Sequence, residues 1–235
     1  MTLFPVVILS GGLATRLRPA TESFPKAMLA INGEPFVAHQ LRLLKKNGID
    51  EVIMCLGYLG EQIVKFVGNG SQFGLRVSYH FDGPVLLGTA GAIKKALSFL
   101  PNLFFVLNGD SYLRCHYADV QEAFIKEKKL ALMTVFHNQG QWDSSNVEFS
   151  NHKILMYDKQ KRAPSMMHID YGLEVFTRDV FAGLPDNQNY DLVTLYQSLI
   201  NRNQLAAFEV SQRFYENGSF NGISELSAYL SEVRV

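Results

Sequence analysis

The feature that most limits the fold of this chain is the alternation of short apolar runs with amphipathic stretches through its first 129 residues. Val6-Val7-Ile8-Leu9 meets Ser10-Gly11-Gly12, so four aliphatic residues end at breakers and read as a buried strand. Pro35 to Asn47 reads as a helix: Phe36, Val37, Gln40, Leu41 and Leu44 share a face, Pro35 suits the first turn, and Gly48 closes it. A strand over Glu51 to Leu56, a short helix over Glu61 to Val67 and a strand over Leu75 to Phe81 follow. Thr89 to Leu100 is a helix with Ala92, Ile93, Ala96, Leu97 and Leu100 inward, stopped by Pro101. Leu103 to Leu107 is a fourth strand, and Asp119 to Lys129 a further helix. Strands that alternate with helices at intervals of roughly 20 to 30 residues predict an α/β fold with a mostly parallel sheet and right-handed crossovers.

Beyond residue 129 the rhythm changes. Leu130 to Phe136, Asn146 to Phe149, Lys153 to Asp158 and Met167 to Phe176 are strand-like with little helix between them. They predict a small antiparallel extension of the same sheet over the active-site face. Asp191 to Asn201 and Ile223 to Val233 are late helices. With no linker and no internal repeat, the expectation is one domain over residues 1–235, with two regions, 1–129 and 130–235.

Lys plus Arg equals Asp plus Glu, 22 of each. That balance gives no reason to invoke nucleic acid or an anionic membrane surface, so any phosphate site has to be local. Cys55 and Cys115 form no disulfide framework and sit beside apolar runs, as buried free thiols in a reducing compartment would. The N-terminus has no basic leader, and no run approaches the ~20 apolar residues of a membrane span. A cytoplasmic protein, monomer or homodimer, is expected.

In open parallel sheets, ligands bind beyond the carboxyl ends of the strands. Three features fall there. Gly11-Gly12-Leu13-Ala14-Thr15-Arg16-Leu17-Arg18-Pro19 follows the first strand, and Phe24-Pro25-Lys26 comes soon after. Paired glycines let backbone N–H groups face an anion, and Arg16, Arg18 and Lys26 add matching charge. The glycine pair alone would be a plain turn; its combination with the cations favours phosphate. The stretch is not a Walker A loop or a G-x-G-x-x-G fingerprint. Asn108-Gly109-Asp110, at the end of the fourth strand, is either a turn or a carboxylate site for a hard cation such as Mg²⁺. Leu87-Gly88-Thr89-Ala90-Gly91-Ala92 either admits a flat ring or serves close packing.

Taken together these segments resemble sugar-1-phosphate nucleotidylyltransferases. The first is similar to their G-G-x-G-T-R-L-x-P signature, continued by Phe24-Pro25-Lys26-Ala27-Met28 where P-K-P-M or P-K-P-L is usual. Leu87–Ala92 resembles their nucleobase segment and Asn108-Gly109-Asp110 their first metal ligand. Phe214-Tyr215-Glu216-Asn217-Gly218-Ser219 is similar to a late segment often written E-I-G-S, which supplies the second. The Tyr-Glu-x-Gly-Ser ending leans toward the heptose 1-phosphate guanylyltransferase branch. The resemblance covers nearly the whole chain in the right order.

It implies a Rossmann-like three-layer sandwich of the GT-A type, with a nucleotide half over residues 1–129 and an acceptor half over residues 130–235. It also implies in-line attack by a sugar 1-phosphate on the α-phosphorus of a nucleoside triphosphate, with Mg²⁺, releasing pyrophosphate. By position, Gly11, Gly12 and Thr15 would bind the nucleotide, with Gly88 and Thr89 bordering its base. Arg16 would neutralise the departing pyrophosphate, and Lys26 would bridge the α-phosphate and the incoming phosphate. Asp110 and Glu216 would hold Mg²⁺. Lys159, after Asp158, resembles an E-K pair whose lysine binds the sugar phosphate; Asn146 and Asp170 would touch the sugar. The attacking oxygen is already ionised at neutral pH, so no general base is needed, and none of the six scattered histidines shows ligand spacing. The sequence departs from the pattern at Ala14, Ala27, Asn217 and Phe220-Asn221, and at Asp170-Tyr171-Gly172, where Asn-Gly-Gly or Asn-Ala-Gly is usual. Three alternatives stay open: a hexose 1-phosphate uridylyl-, thymidylyl- or cytidylyltransferase, a non-catalytic nucleotide-sugar-binding relative, and a GT-A glycosyltransferase. Asn108 stands against the last, because it replaces the first carboxylate of a D-x-D motif.

Overall fold

The computed structural model describes residues 2–233. In chain order the elements are β1 (Val6–Ser10), β2 (Ala30–Ile31), β3 (Glu34–Pro35), α1 (Phe36–Lys46), β4 (Glu51–Leu56), α2 (Gly60–Val67) and β5 (Arg76–Phe81). Then come α3 (Gly88–Ala96), β6 (Leu103–Asn108), β7 (Ser111–Tyr112), α4 (Tyr117–Glu127), β8 (Ala131–His137), β9 (Val147–Ser150) and β10 (Lys153–Tyr157). The chain closes with β11 (His168–Thr177), α5 (Asp179–Ala182), α6 (Leu192–Asn201), β12 (Leu205–Val210), β13 (Tyr215–Glu216) and α7 (Phe220–Val233).

These elements form two compact units that interleave along the chain. The first takes the N-terminal residues through Leu86, the short stretch Leu107–Leu113 and the residues from Phe214 onward. The second takes Leu87–Val106 and Arg114–Arg213.

In the first unit β1 runs parallel to β4, and β4 parallel to β5. Val6, Val7 and Ile8 of β1 and Val52, Met54 and Leu56 of β4 are fully buried. Both strands therefore read as continuous apolar runs, as strands covered on two faces must. Helix α1 buries the face its spacing predicts, with Phe36, Val37, Leu41 and Leu44 inward. Leu226 and Leu230 of α7 join Ile31 and Phe36 in one apolar cluster, which ties the end of the described chain to its beginning.

In the second unit β11 lies antiparallel to β8 and β9, and β9 antiparallel to β10. The antiparallel extension is present, with one addition. β12 pairs in parallel with β8 from Leu205↔Ala131 to Val210↔Phe136. Leu205-Ala206-Ala207-Phe208 gave little warning of a strand, because alanine has weak β-propensity and only pairing with β8 orders it. Helix α3 ends at Ala96 and gives way to a 3-10 turn over Leu97–Phe99. Pro101 forces Leu100 into an extended conformation, with ψ at 144°, so the last predicted turn cannot stay α-helical.

Candidate active site

Lys26, Asp110 and Glu216 are far apart in sequence and meet in the first unit. Lys26 opens a 3-10 turn, Lys26–Met28, behind Pro25. Its Nζ reaches Asp110 Oδ2 at 2.8 Å. Asp110 stands two residues past β6. A Cβ on Gly109 would sit 2.8 Å from the Leu9 carbonyl oxygen and from the Ser10 side chain, so the glycine of Asn-Gly-Asp admits the end of β1. Gln40 of α1 braces the same turn, donating through Nε2 to the carbonyls of Asn108 (3.0 Å) and Ser111 (2.8 Å).

The short β13–β7 ladder pairs Glu216 with Ser111 and so brings Glu216 beside Asp110. A Cβ on Gly218 would meet Glu216 Oε2 at 2.7 Å, Lys26 Nζ at 3.2 Å and Asp110 Oδ2 at 3.3 Å. Three charged groups therefore face one small space that a side chain at 218 would fill. Asn217, fully buried, ties this arrangement together: its Nδ2 donates to the Lys26 carbonyl at 3.0 Å and its N–H to the Asp110 carbonyl at 2.9 Å. The apolar residue common in relatives could make only the second bond, so this departure reinforces the centre. Glu216 also accepts from the Gly218 N–H and from the Ser219 hydroxyl, and Ser219 Oγ in turn caps α7 by accepting the Gly222 N–H at 2.9 Å. Two converging carboxylates suit Mg²⁺, which commonly takes one or two protein oxygens and fills its shell with water and phosphate.

Beyond β1, Gly11 passes so close to Gly57 that a Cβ on Gly57 would lie 2.6 Å from the Gly11 carbonyl oxygen; one on Gly11 would lie 2.8 Å from Asp82 Oδ2. Asp82, a buried carboxylate at the glycine loop, carried no sequence signal. Thr15 and Arg16 are exposed on a 3-10 turn that Leu17 anchors in the core. Ala14 has φ 48°, the left-handed conformation that explains the glycine usual here, and Thr21 Oγ1 holds it by donating to its carbonyl at 2.8 Å. Gly57→Ala pushes directly on this loop. It is expected to destabilise the protein by about 1–3 kcal/mol and to weaken triphosphate binding, measured by thermal melting and nucleotide titration.

In the second unit Gly88 has φ +69°, and a Cβ there would lie 2.7 Å from the Tyr190 carbonyl oxygen. That carbonyl accepts the N–H groups of Ala90 (2.9 Å) and Gly91 (3.1 Å), and Thr89 Oγ1 accepts the Leu192 N–H at 2.9 Å. The small residues of this segment thus receive the backbone near Tyr190.

Asn146, Lys159 and Asp170 gather around Tyr157. The Asp170 N–H donates to Asn146 Oδ1 at 2.9 Å, the Tyr157 hydroxyl donates to Asp170 Oδ2 at 3.2 Å, and Lys159 Nζ lies 5.9 Å from the centre of the Tyr157 ring. Asp158 fixes the turn that carries Lys159 by accepting the N–H groups of Gln160 (2.7 Å) and Lys161 (2.8 Å). Gly172, at φ +93°, shifts the β11–β8 register between Asp170 and Glu174, and the Thr134 hydroxyl patches the gap by donating to the Leu173 carbonyl at 2.6 Å. Across this irregularity the side chains of Asp170 and Glu174 hydrogen-bond.

Glu174 is 3% exposed, and sequence reasoning missed it. Its signal was a carboxyl inside the apolar run Leu173-Glu174-Val175-Phe176. Burial pushes this carboxyl well above its ordinary range and Asp170 pushes it further, while Lys159 and the Tyr196 hydroxyl act in the opposite sense. Tyr157 and Tyr196 are likewise pushed up, mainly by burial and then by these carboxyls. In the folded protein Glu174 holds its proton where the unfolded chain releases it. Its contribution to stability is complete below the ordinary glutamate range and is lost as pH rises toward the raised value, with a slope of about 1.4 kcal/mol per pH unit. Glu174→Gln should flatten that part of the stability curve in denaturant melts taken between pH 5 and 8.

Cys55 and Cys115 are buried free thiols, each pushed up to about 12 by burial, so neither serves as a nucleophile at neutral pH. Trp142 is a half-exposed loop residue with the Arg213 guanidinium 3.3 Å from its ring centre. No helix among the described residues is long and apolar enough to cross a membrane.

Residues 5–149 match the family model described as nucleotidyl transferase. This chain belongs to that family. The nucleotidyl transferase is 32% identical over 176 residues to the D-glycero-alpha-D-manno-heptose 1-phosphate guanylyltransferase of Campylobacter jejuni, covering 74% of this chain and 76% of that protein. It is 28% identical over 202 residues to the UTP–glucose-1-phosphate uridylyltransferase of Synechocystis sp., covering 79% of this chain. It spans only 52% of that relative's length. Among solved structures, the crystal structure of a putative glucose-1-phosphate thymidylyltransferase from Bacillus anthracis superposes with a TM-score of 0.84 at 21% identity, covering 96% of this chain and 94% of that one. The fold of this nucleotidyl transferase is therefore the Rossmann-like α/β arrangement that the family resemblance implies.

Proposed function

We propose that this nucleotidyl transferase joins a nucleoside triphosphate to a sugar 1-phosphate, releasing pyrophosphate and a nucleotide sugar. The observation that carries this reading is the convergence of Lys26, Asp110 and Glu216 on the space beside Gly218. Two phosphate-bearing anions have to meet, so their repulsion is the main obstacle, and positioned cations offset it. Gly11, Gly12 and Thr15 receive the triphosphate, and Gly88 and Thr89 border the base. Arg16 neutralises the departing pyrophosphate. Lys26, held by Asp110 and by the turn that Asn217 braces, faces the α-phosphate and the incoming phosphate. Lys159 takes the sugar phosphate, and Asn146 and Asp170 its hydroxyls. Asp110 and Glu216 hold Mg²⁺, which when bound supplies positive charge against the triphosphate oxygens. No side chain has to remove a proton, because the attacking phosphate oxygen is already ionised.

The substrate pair favoured is GTP with a heptose 1-phosphate, in a cytoplasmic route to surface polysaccharide. Its support is the 32% identity to the Campylobacter guanylyltransferase. Pyrophosphate release measured over a panel of triphosphates and sugar 1-phosphates tests both levels. Turnover with the guanylyl–heptose pair alone supports the full reading, turnover with a uridylyl, thymidylyl or cytidylyl pair replaces its specificity, and no turnover with any pair contradicts it. A second reading, nucleotide-sugar binding without synthesis, draws on the engagement of both Glu216 oxygens by Gly218 and Ser219. Calorimetry showing tight nucleotide-sugar binding without synthesis would favour it.

A further inference from the structure

The buried carboxyl next to Asp170 has no part in the reaction described above, and nothing in the transfer chemistry requires it. Asp170 accepts from three directions. The Tyr157 hydroxyl reaches Oδ2 at 3.2 Å, the Gly172 N–H reaches Oδ1 at 3.1 Å, and the Glu174 carboxyl shares a hydrogen bond with it. A carboxylate offers about four lone-pair sites, so three protein donors leave about one for a ligand. The ionisable groups around the pair come from every neighbouring element. Lys159 follows β10, Tyr157 ends it, Tyr196 sits on α6, and Asp191, the cap residue of α6, acts on Tyr157. The Tyr157 and Tyr196 rings pack edge to face at 5.3 Å, which fixes both hydroxyls. Of the two carboxyls, Glu174 is the more buried, and desolvation places the shared proton on it.

We propose that Glu174 is a positioning residue for the acceptor: it donates its carboxyl hydrogen to Asp170, so that the pair carries one negative charge and Asp170 presents a single fixed acceptor to a sugar hydroxyl. This rests on the reading of Asp170 as a sugar-binding residue. A single charge on the pair is matched by Lys159, so an arriving sugar phosphate meets no net negative charge from this cluster. Ionising Glu174 as well would set a second anion against the phosphate and remove the donor that orients Asp170.

The test compares wild type, Glu174→Gln and Glu174→Leu. KM for the sugar 1-phosphate and for the triphosphate are measured separately between pH 6 and 9, and the carboxyl carbons of ¹³C-labelled glutamate are followed by NMR. Glu174→Gln keeps a donor and should hold the acceptor KM near wild type at pH 6 while abolishing its rise at higher pH. Glu174→Leu should raise the acceptor KM about tenfold or more and leave the triphosphate KM unchanged. The Glu174 carboxyl carbon should keep its protonated position through the pH range in which an ordinary glutamate ionises. An ordinary glutamate titration beside normal turnover, or equal acceptor KM in the Gln and Leu variants, would overturn the inference alone. Should Glu174→Leu fail to fold, the Gln variant and the titration still decide it. If no sugar phosphate is turned over, the acceptor reading falls and the positioning role with it, while the titration separately reports whether the pair shares one proton.

Discussion

Asp110→Asn should leave a folded protein whose turnover is reduced by roughly 10²–10³-fold or more. The asymmetry follows from where Asp110 sits. Its ion pair with Lys26 is partly open to solvent, with side chains 26% and 34% exposed, and such pairs contribute about 0–1 kcal/mol. The turn that carries residue 110 is braced mainly through backbone, by Gln40 and by the Asn217 N–H, and both interactions survive the substitution. The carboxylate charge proposed to hold Mg²⁺ does not survive it. A thermal melt close to wild type beside the collapse of pyrophosphate release is the expected pair of results. Near-normal turnover would remove Asp110 from the metal site.

Lys26→Met should separate metal binding from chemistry. Methionine keeps much of the apolar stem and deletes the ammonium that meets Asp110 Oδ2 at 2.8 Å. Without that competing cation the two carboxylates attract Mg²⁺ more strongly, so the Mg²⁺ concentration giving half-maximal activity should fall. The rate at saturating Mg²⁺ should nevertheless drop by about 10²–10³-fold, because the charge proposed to offset repulsion between the two phosphates is gone. A Mg²⁺ titration of the residual activity, run beside wild type, reads both effects. A rate loss cured by extra Mg²⁺ would mean that Lys26 acts only through Asp110.

The strand–helix order was legible because apolar period and breakers are local properties. β4, with Glu51 to Leu56 between a glycine-closed helix and Gly57, is an instance. β12 was not legible, since its alanines acquire strand geometry only by pairing with β8. The interleaving of the two units was equally hidden, because an apolar face records that it is buried and not against what. At the candidate site, the Gly-Gly loop and Lys26 stood out by residue type and position, whereas Asp110 read equally as a turn and was singled out only by the family resemblance. Asn217 read as a departure from pattern, and its two hydrogen bonds to the Lys26 and Asp110 carbonyls exist only once residues nearly 200 apart in sequence are brought together. Glu174 and Tyr157 stayed out of view for the same reason: the shift at Gly172 joins Glu174 to Asp170, and no spacing rule encodes it.

The most direct test of the central claim follows the α-phosphorus itself. The enzyme is given Mg²⁺, a sugar 1-phosphate and the triphosphate it turns over, made chiral at an α-thiophosphate. In-line transfer predicts that the labelled phosphorus appears in the nucleotide sugar with inverted configuration, and that pyrophosphate forms only when the sugar 1-phosphate is present. Retained configuration, or pyrophosphate released with water as the only acceptor, would contradict it.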